Sequence, residues 1–133
     1  MSTPNTPMTP EQAQALAQLG HVHLEHGQYD KAVALFEGLH ALRHKTDFTC
    51  EALGVAYFRL GRLQEAASML SEALQSKRAQ GVDDWLARTV LAEVYVKAGD
   101  TTSAQRLMLD GGAPPSSAPP RVHALHARLT GRR

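Results

Sequence analysis

Seven histidines among 133 residues are the first chemistry this sequence offers. His21, His23 and His26 gather at the end of a first helical stretch, and His40 and His44 stand four residues apart on a second. Two imidazoles at that spacing can share a metal ion. A durable site needs a third and usually a fourth ligand, and no HExxH pattern or neighbouring cysteine supplies them. His23 reads as a semi-buried core residue and the others as solvated, so no metal is expected. Cys50, the single cysteine, is expected to point into a core, where burial raises a thiol pKa and hides the nucleophile. One cysteine excludes an internal disulfide and a zinc knuckle, and suits a reducing cytosol. Ser68, Ser71 and Ser76 lie on a regular helix with none of the strained turn of a nucleophile elbow. Gly111-Gly112 follows no strand and precedes prolines, so it cradles no phosphate. Glu51 can approach Glu65 or Glu72, yet carboxylates on such helices are usually solvated surface. No enzyme and no cofactor is expected.

Charge narrows the partners. Arg43-His44-Lys45, Lys77-Arg78 and Arg128 with Arg132-Arg133 are basic clusters interrupted by acidic residues and without stacking aromatics nearby. Helix C-termini, which favour cations, account for the first two. The net charge of +1 implies neither nucleic acid nor an anionic membrane. An apolar fraction of 43% and a charged fraction of 20% suit a soluble chain with one packed core. Aromatics at 5%, with abundant alanine, favour close helix packing over a β-sandwich. MSTPNTPMTP lacks the basic and apolar regions of a signal peptide, and nowhere do 18 apolar residues run together. A cytoplasmic chain without membrane insertion is expected.

The stretch Cys50 to Leu74 is the element around which the rest is organised. It reads as two helices about Gly61-Arg62: Leu53, Tyr57 and Leu60 on the first, Leu63, Ala66, Ala67, Leu70 and Leu74 on the second. Gly54 and Ala66 stand where those helices would cross, so the backbones can approach. The pattern recurs 34 residues upstream, where Gly20, Gly27, Ala32 and Phe36 match Gly54, Gly61, Ala66 and Leu70. Such a period marks a helical repeat array. Gly99-Asp100 is the next turn, 38 residues after Gly61-Arg62, and the four extra residues are about one helical turn.

In chain order, residues 1-9 read as a flexible N-terminus, with Thr9 and Gln12 forming a capping box ahead of a helix from Pro10 to about His26. Its apolar face is Ala13, Leu16, Leu19 and His23 or Leu24. Helix two runs from Tyr29 to about Leu42 and buries Ala32, Val33, Leu35, Phe36 and Leu39. Three repeats, 13-46, 47-80 and 85-112, fill the span 10-112. Asp83 or Asp84 caps helix five, whose face is Trp85, Leu86, Val90, Leu91, Val94 and Tyr95. Helix six, Thr102 to Leu109, ends at Asp110-Gly111-Gly112. The run 113-120 is a Pro-rich linker of polyproline character. In 121-133, Val122, Leu125 and Leu129 make one stripe, read as a capping helix; the alternative is a tail that orders only with a partner.

The chain resembles tetratricopeptide repeat proteins. That motif places a large residue, Leu-Gly, Tyr, a turn Gly, Ala, Phe and Ala in each helix hairpin. Repeat one supplies Leu16, Leu19-Gly20, Gly27, Ala32 and Phe36, with His23 for the tyrosine and Leu39 for the last alanine. Repeat two has Cys50, Leu53-Gly54, Tyr57, Gly61, Ala66, Leu70 and Ala73. Repeat three has Leu91-Ala92, Tyr95, Gly99, Ala104 and Met108, and departs where Gly111 falls on the final alanine. The resemblance implies an all-α, right-handed array of three helix hairpins plus a C-terminal capping helix. In size, degenerate repeats and a last helix after an irregular connection, the chain is also similar to the small cytoplasmic chaperones of bacterial type III secretion.

The family's register implies a concave groove lined by the first helix of each repeat. Inward positions are Gln14, Ala17, His21, Leu24 and Glu25; Phe48, Glu51, Val55, Phe58 and Arg59; and Leu86, Thr89, Glu93, Val96 and Lys97. Tyr57 fills the core position, so Phe58 points roughly 100° away from it. Leu24, Phe48, Val55, Phe58, Leu86 and Val96, rimmed by Arg59 and Lys97, are the expected partner-binding residues. The expected ligand is an apolar or amphipathic segment of a partner protein, with a homo-oligomer as the alternative. An alternative packing puts Leu24 or Phe58 under the terminal helix. Tetratricopeptide domains that clamp the acidic tails of heat-shock chaperones use Lys and Asn one turn apart on the first helix. Ala17 and His21 stand at those positions, which puts that function in doubt.

Overall fold

Helix ends in this chain are set by short local motifs, and the fold follows from how the resulting rods pair. The computed structural model describes residues 7–131 as α1 (Pro10–Glu25), α2 (Tyr29–Ala41), α3 (Asp47–Arg59), α4 (Leu63–Gln80), α5 (Trp85–Lys97), α6 (Thr101–Asp110) and α7 (Pro120–Thr130). Residues 1–6, most of the segment expected to be flexible, lie outside the described residues. Met8 already packs against the core. Thr9 caps α1 as expected: its Oγ1 accepts from Gln12 N at 3.1 Å, and its own N–H donates to Gln12 Oε1 at 2.9 Å. Thr46 and Thr49 repeat the device ahead of α3, at 3.1 and 2.8 Å.

The three hairpin turns share one geometry. Gly61 sits at φ 78°, a left-handed conformation that costs glycine little. The N–H of Arg62 donates to the Tyr57 carbonyl at 2.9 Å and that of Gly61 to Phe58 at 3.0 Å. Those two bonds satisfy carbonyls the helix end would leave open. Gly27 and Gly99 close their helices with the same pair of bonds. Each turn therefore folds the chain back on itself, and α1–α2, α3–α4 and α5–α6 pack as hairpins. The four residues by which the third turn is displaced lie in α4. It has 18 residues against 13 in α2, five more, while its connection to the next helix (81–84) is one shorter than 42–46.

One core runs through α1 to α5, around Phe36, Leu39, Leu53, Leu70 and Val94. Gly54 lets α3 meet α4 closely: a Cβ there would lie 2.6 Å from Leu70 Cγ. A second cluster, Ala92, Ala104, Met108 and Leu129, joins α7 to α5 and α6. Val122 and Leu129 are buried and Leu125 is half-buried, so the stripe docks within the monomer as a cap. Each such side chain contributes about 1.5–3 kcal/mol when fully buried. The linker is less extended than polyproline character suggests. Pro114 and Ala118 are buried, and the Ala118 N–H closes a turn on the Pro115 carbonyl at 2.9 Å.

Three expectations from the sequence need correction. Leu19, placed on the buried face of α1, is 45% exposed, whereas its counterparts Leu53 and Leu91 are buried. Those two follow a completed hairpin that covers them; among the described residues no helix precedes α1. Leu86, expected on the buried face of α5, is 38% exposed, and Ala87 fills the core instead. Tight helix crossings favour the smaller side chain there. Finally, α2 ends at Ala41, so His44 is not on it. Arg43 takes φ 66° and turns the chain away.

Candidate functional site

The first helices of the hairpins, α1, α3 and α5, lie side by side, and α7 takes the next place beside α5 and α6. Their shared face is a trough. At its centre a cavity of about 200 Å³ is lined by His21 and Leu24 of α1, and by Phe48, Glu51, Ala52, Val55, Phe58 and Arg59 of α3. Leu86, Val90 and Glu93 of α5 and Arg121 of α7 complete it. A second hollow of about 430 Å³ continues beyond Phe58, between α5 and α7, with Val96, Lys97, Leu125 and Arg128 on its walls. In the other direction Phe48 is shared with a crevice of about 660 Å³ between α1 and the Arg43–Thr46 connection.

Six of the eight residues expected to bind a partner thus meet around one cavity, and Val96 and Lys97 line the adjoining hollow. Leu24, Val55 and Phe58 are half-buried and rest on the core, so their positions are held by packing. Phe58 faces both hollows. Phe48, 45% exposed, is the aromatic most open to a ligand. Its ring is set by His21 at 5.6 Å and by Phe36, edge-on, at 6.5 Å. The Arg59 guanidinium lies 5.8 Å from the Phe58 ring centre.

The carboxylates on the trough are already engaged. Glu51 is paired with Lys77 of α4, and both are substantially buried. Glu93 pairs with Arg121 at 3.2 Å across the boundary between the two hollows. His21 Nε2 meets Glu25 at 2.6 Å. Arg121, Leu125 and Arg128 also line the trough, whereas the sequence predicts α7 as a cap or as a tail that orders only with a partner. A signal was present: Leu125 and Leu129 stand 34 residues after Leu91 and Tyr95. The last helix is therefore in register as the first helix of a further repeat.

Residues that could do other chemistry are engaged structurally. Cys50 Sγ donates to Glu72 Oε2 at 3.2 Å, and burial, then that hydrogen bond, push the thiol pKa up to about 12. Lys45 Nζ lies 2.8 Å from the same Glu72 oxygen and, with Cys50, holds that carboxyl below its usual range. His40 Nε2 contacts Thr49 Oγ1 at 2.9 Å, and burial, with Lys45 nearby, lowers its pKa. His44 faces the crevice instead, so the pair four apart diverges. Among the described residues no group of three or more His, Cys, Asp or Glu is placed to hold a metal, and no helix is long and apolar enough to cross a membrane. The Tyr57 hydroxyl donates to Glu37 beneath the Arg62 guanidinium, and burial followed by that bond raises its pKa. Glu51, Glu65 and Glu72, which could have approached one another, each pair with a separate cation, Lys77, Arg62 and Lys45.

Comparison with known proteins agrees with this geometry. A family model described as tetratricopeptide repeat matches residues 57–129, more than half of the 133, and extends through α7. A second, described as anaphase-promoting complex, cyclosome, subunit 3, matches residues 5–73. No curated protein matches the sequence. One similar solved structure is that of PcrH in complex with the chaperone binding region of PopB. It has a TM-score of 0.65 at 21% identity, over 93% of this chain and 96% of that one. At that identity the likeness is one of fold.

Proposed function

We propose that this chain, which belongs to the tetratricopeptide repeat family, is a non-catalytic cytoplasmic chaperone or adaptor that holds a segment of a partner protein in its trough. One observation carries the reading. An apolar cavity formed by α1, α3 and α5 lies open, with Phe48 and Phe58 lining it from α3, which packs on the core. Such a surface suits an amphipathic helix or an extended apolar segment, and walls held by packing reduce the ordering cost of binding. Fully burying one aromatic side chain contributes about 1.5–3 kcal/mol, and Phe58 is already half-buried, so losing it should weaken a partner roughly 4- to 12-fold.

PcrH, whose fold this chain shares along nearly its whole length, was solved with the chaperone binding region of another protein. That supports a chaperone over a general scaffold. With the resemblance to small type III secretion chaperones, it makes a secretion-apparatus subunit the partner class to test first. The chain should be co-expressed with each secreted protein encoded beside its gene, and soluble yield scored. One partner should become soluble and should be lost with Phe58→Ala or with the more exposed Phe48→Ala. If no partner is solubilised, the chaperone reading fails; if both variants still hold it, the trough is not the site.

A further inference from the structure

The charges along the trough specify more than apolar fit. Each carboxylate on its walls already has a cation: Glu51 has Lys77 and Glu93 has Arg121, while Glu25 beside them is engaged by His21. The reverse does not hold. Arg43 at the crevice, Arg59 at the central cavity, and Lys97 and Arg128 at the outer hollow form no ion pair among the described residues. Of the six lysines and arginines that form no ion pair among the described residues, these four line the trough, and only Lys31 and Arg106 lie elsewhere. Arg43 is telling in a second way. The other left-handed positions in the described chain, Gly27, Gly61, Gly81, Gly99 and Gly131, are glycines, and only here does a long cationic side chain occupy that conformation.

We propose that the trough takes a partner segment with an apolar centre flanked on both sides by aspartates or glutamates. Its apolar residues seat against Phe48, Val55 and Phe58. Its acidic residues reach Arg43 at one end and Lys97 and Arg128 at the other, with Arg59 beside the centre. This deepens the binding reading above and rests on it. It is distinct from a clamp for an acidic chain terminus, because the recognised anions are side chains on either side of an apolar stretch.

The test is a selection from a random peptide library displayed on phage, against the immobilised full chain. Selected peptides should carry acidic residues on both flanks of an apolar run. Exposed ion pairs contribute roughly 1.5- to 5-fold each, so Arg59→Glu with Lys97→Glu should weaken a selected peptide by about 10-fold or more. Affinity should also fall as salt is raised. Both residues are exposed, and an unchanged circular dichroism spectrum confirms the variant's fold. Peptides with neutral or basic flanks, or affinity indifferent to the charge reversal and to salt, overturn the acidic specificity while leaving trough binding in place. Peptides unaffected by Phe48→Ala, or no selected peptide at all, overturn the trough reading and this inference with it.

Discussion

Two glycine-to-alanine substitutions should move stability in opposite directions, although both glycines lie inside helices. Alanine in a helix interior is favoured over glycine by about 1 kcal/mol. At Gly38 on α2 an added Cβ meets nothing within 4 Å, so Gly38→Ala should raise stability by most of that amount. At Gly54 the Cβ would lie 2.6 Å from Leu70 Cγ, 2.9 Å from its Cδ2 and 3.4 Å from its backbone N. Leu70 is fully buried in the core. Overpacking of this kind costs about 1–3 kcal/mol. The clash outweighs the propensity gain, and Gly54→Ala should come out destabilised by about 1 kcal/mol, or a few degrees in Tm. Denaturant unfolding of both variants reads the signs directly. A cycle with Leu70→Ala isolates the cause: without the Leu70 side chain, Gly54→Ala should become stabilising, giving a coupling energy of about 1–3 kcal/mol. If Gly54→Ala stabilises as Gly38→Ala does, or costs the same with and without Leu70, close approach of α3 to α4 is not what demands glycine. The same contact sets where α3 holds Val55 and Phe58, so the cycle also measures how firmly the trough is built.

Arg43→Gly should stabilise the isolated chain by up to about 1 kcal/mol, since it relieves a left-handed L-residue but frees more unfolded backbone; equal or lower stability would contradict this. Cys50 should resist a disulfide reagent at pH 8 in the native chain and react once unfolded. An unfolded thiol ionises near pH 9 while the native one keeps its proton to about 12, so the native state binds the extra proton between those values. Stability should therefore fall as pH rises from about 9 towards 12, less steeply in Cys50→Ala; an equal slope would refute the assignment. Leu129→Ala should cost about 2–5 kcal/mol, and amides 122 to 129 should be protected in the isolated monomer. Exchange there as fast as in an unfolded chain would mean that α7 does not dock.

What was legible in this sequence is what short stretches of chain determine. The glycines 34 residues apart, the Thr9 capping box and the 3.6-residue spacing of small and large apolar residues act over one or two helical turns. Together they specify three hairpins and the face each helix buries. Resemblance in that register also identified the face of α3 and α5 that lines the trough. The remainder depended on neighbours distant in sequence. Leu19 and Leu53 hold the same motif position, yet one is exposed and the other buried, because burial depends on whether another hairpin lies alongside. His40 and His44 have metal-like spacing, but the spacing lost its meaning once Arg43 turned left-handed and ended the helix between them. Arg121 entered the trough only because a turn in the linker and burial of Val122 and Leu129 brought α7 beside α5. Periodicity establishes which face of a helix is apolar; only packing decides what covers that face, and which charges remain for a partner to neutralise.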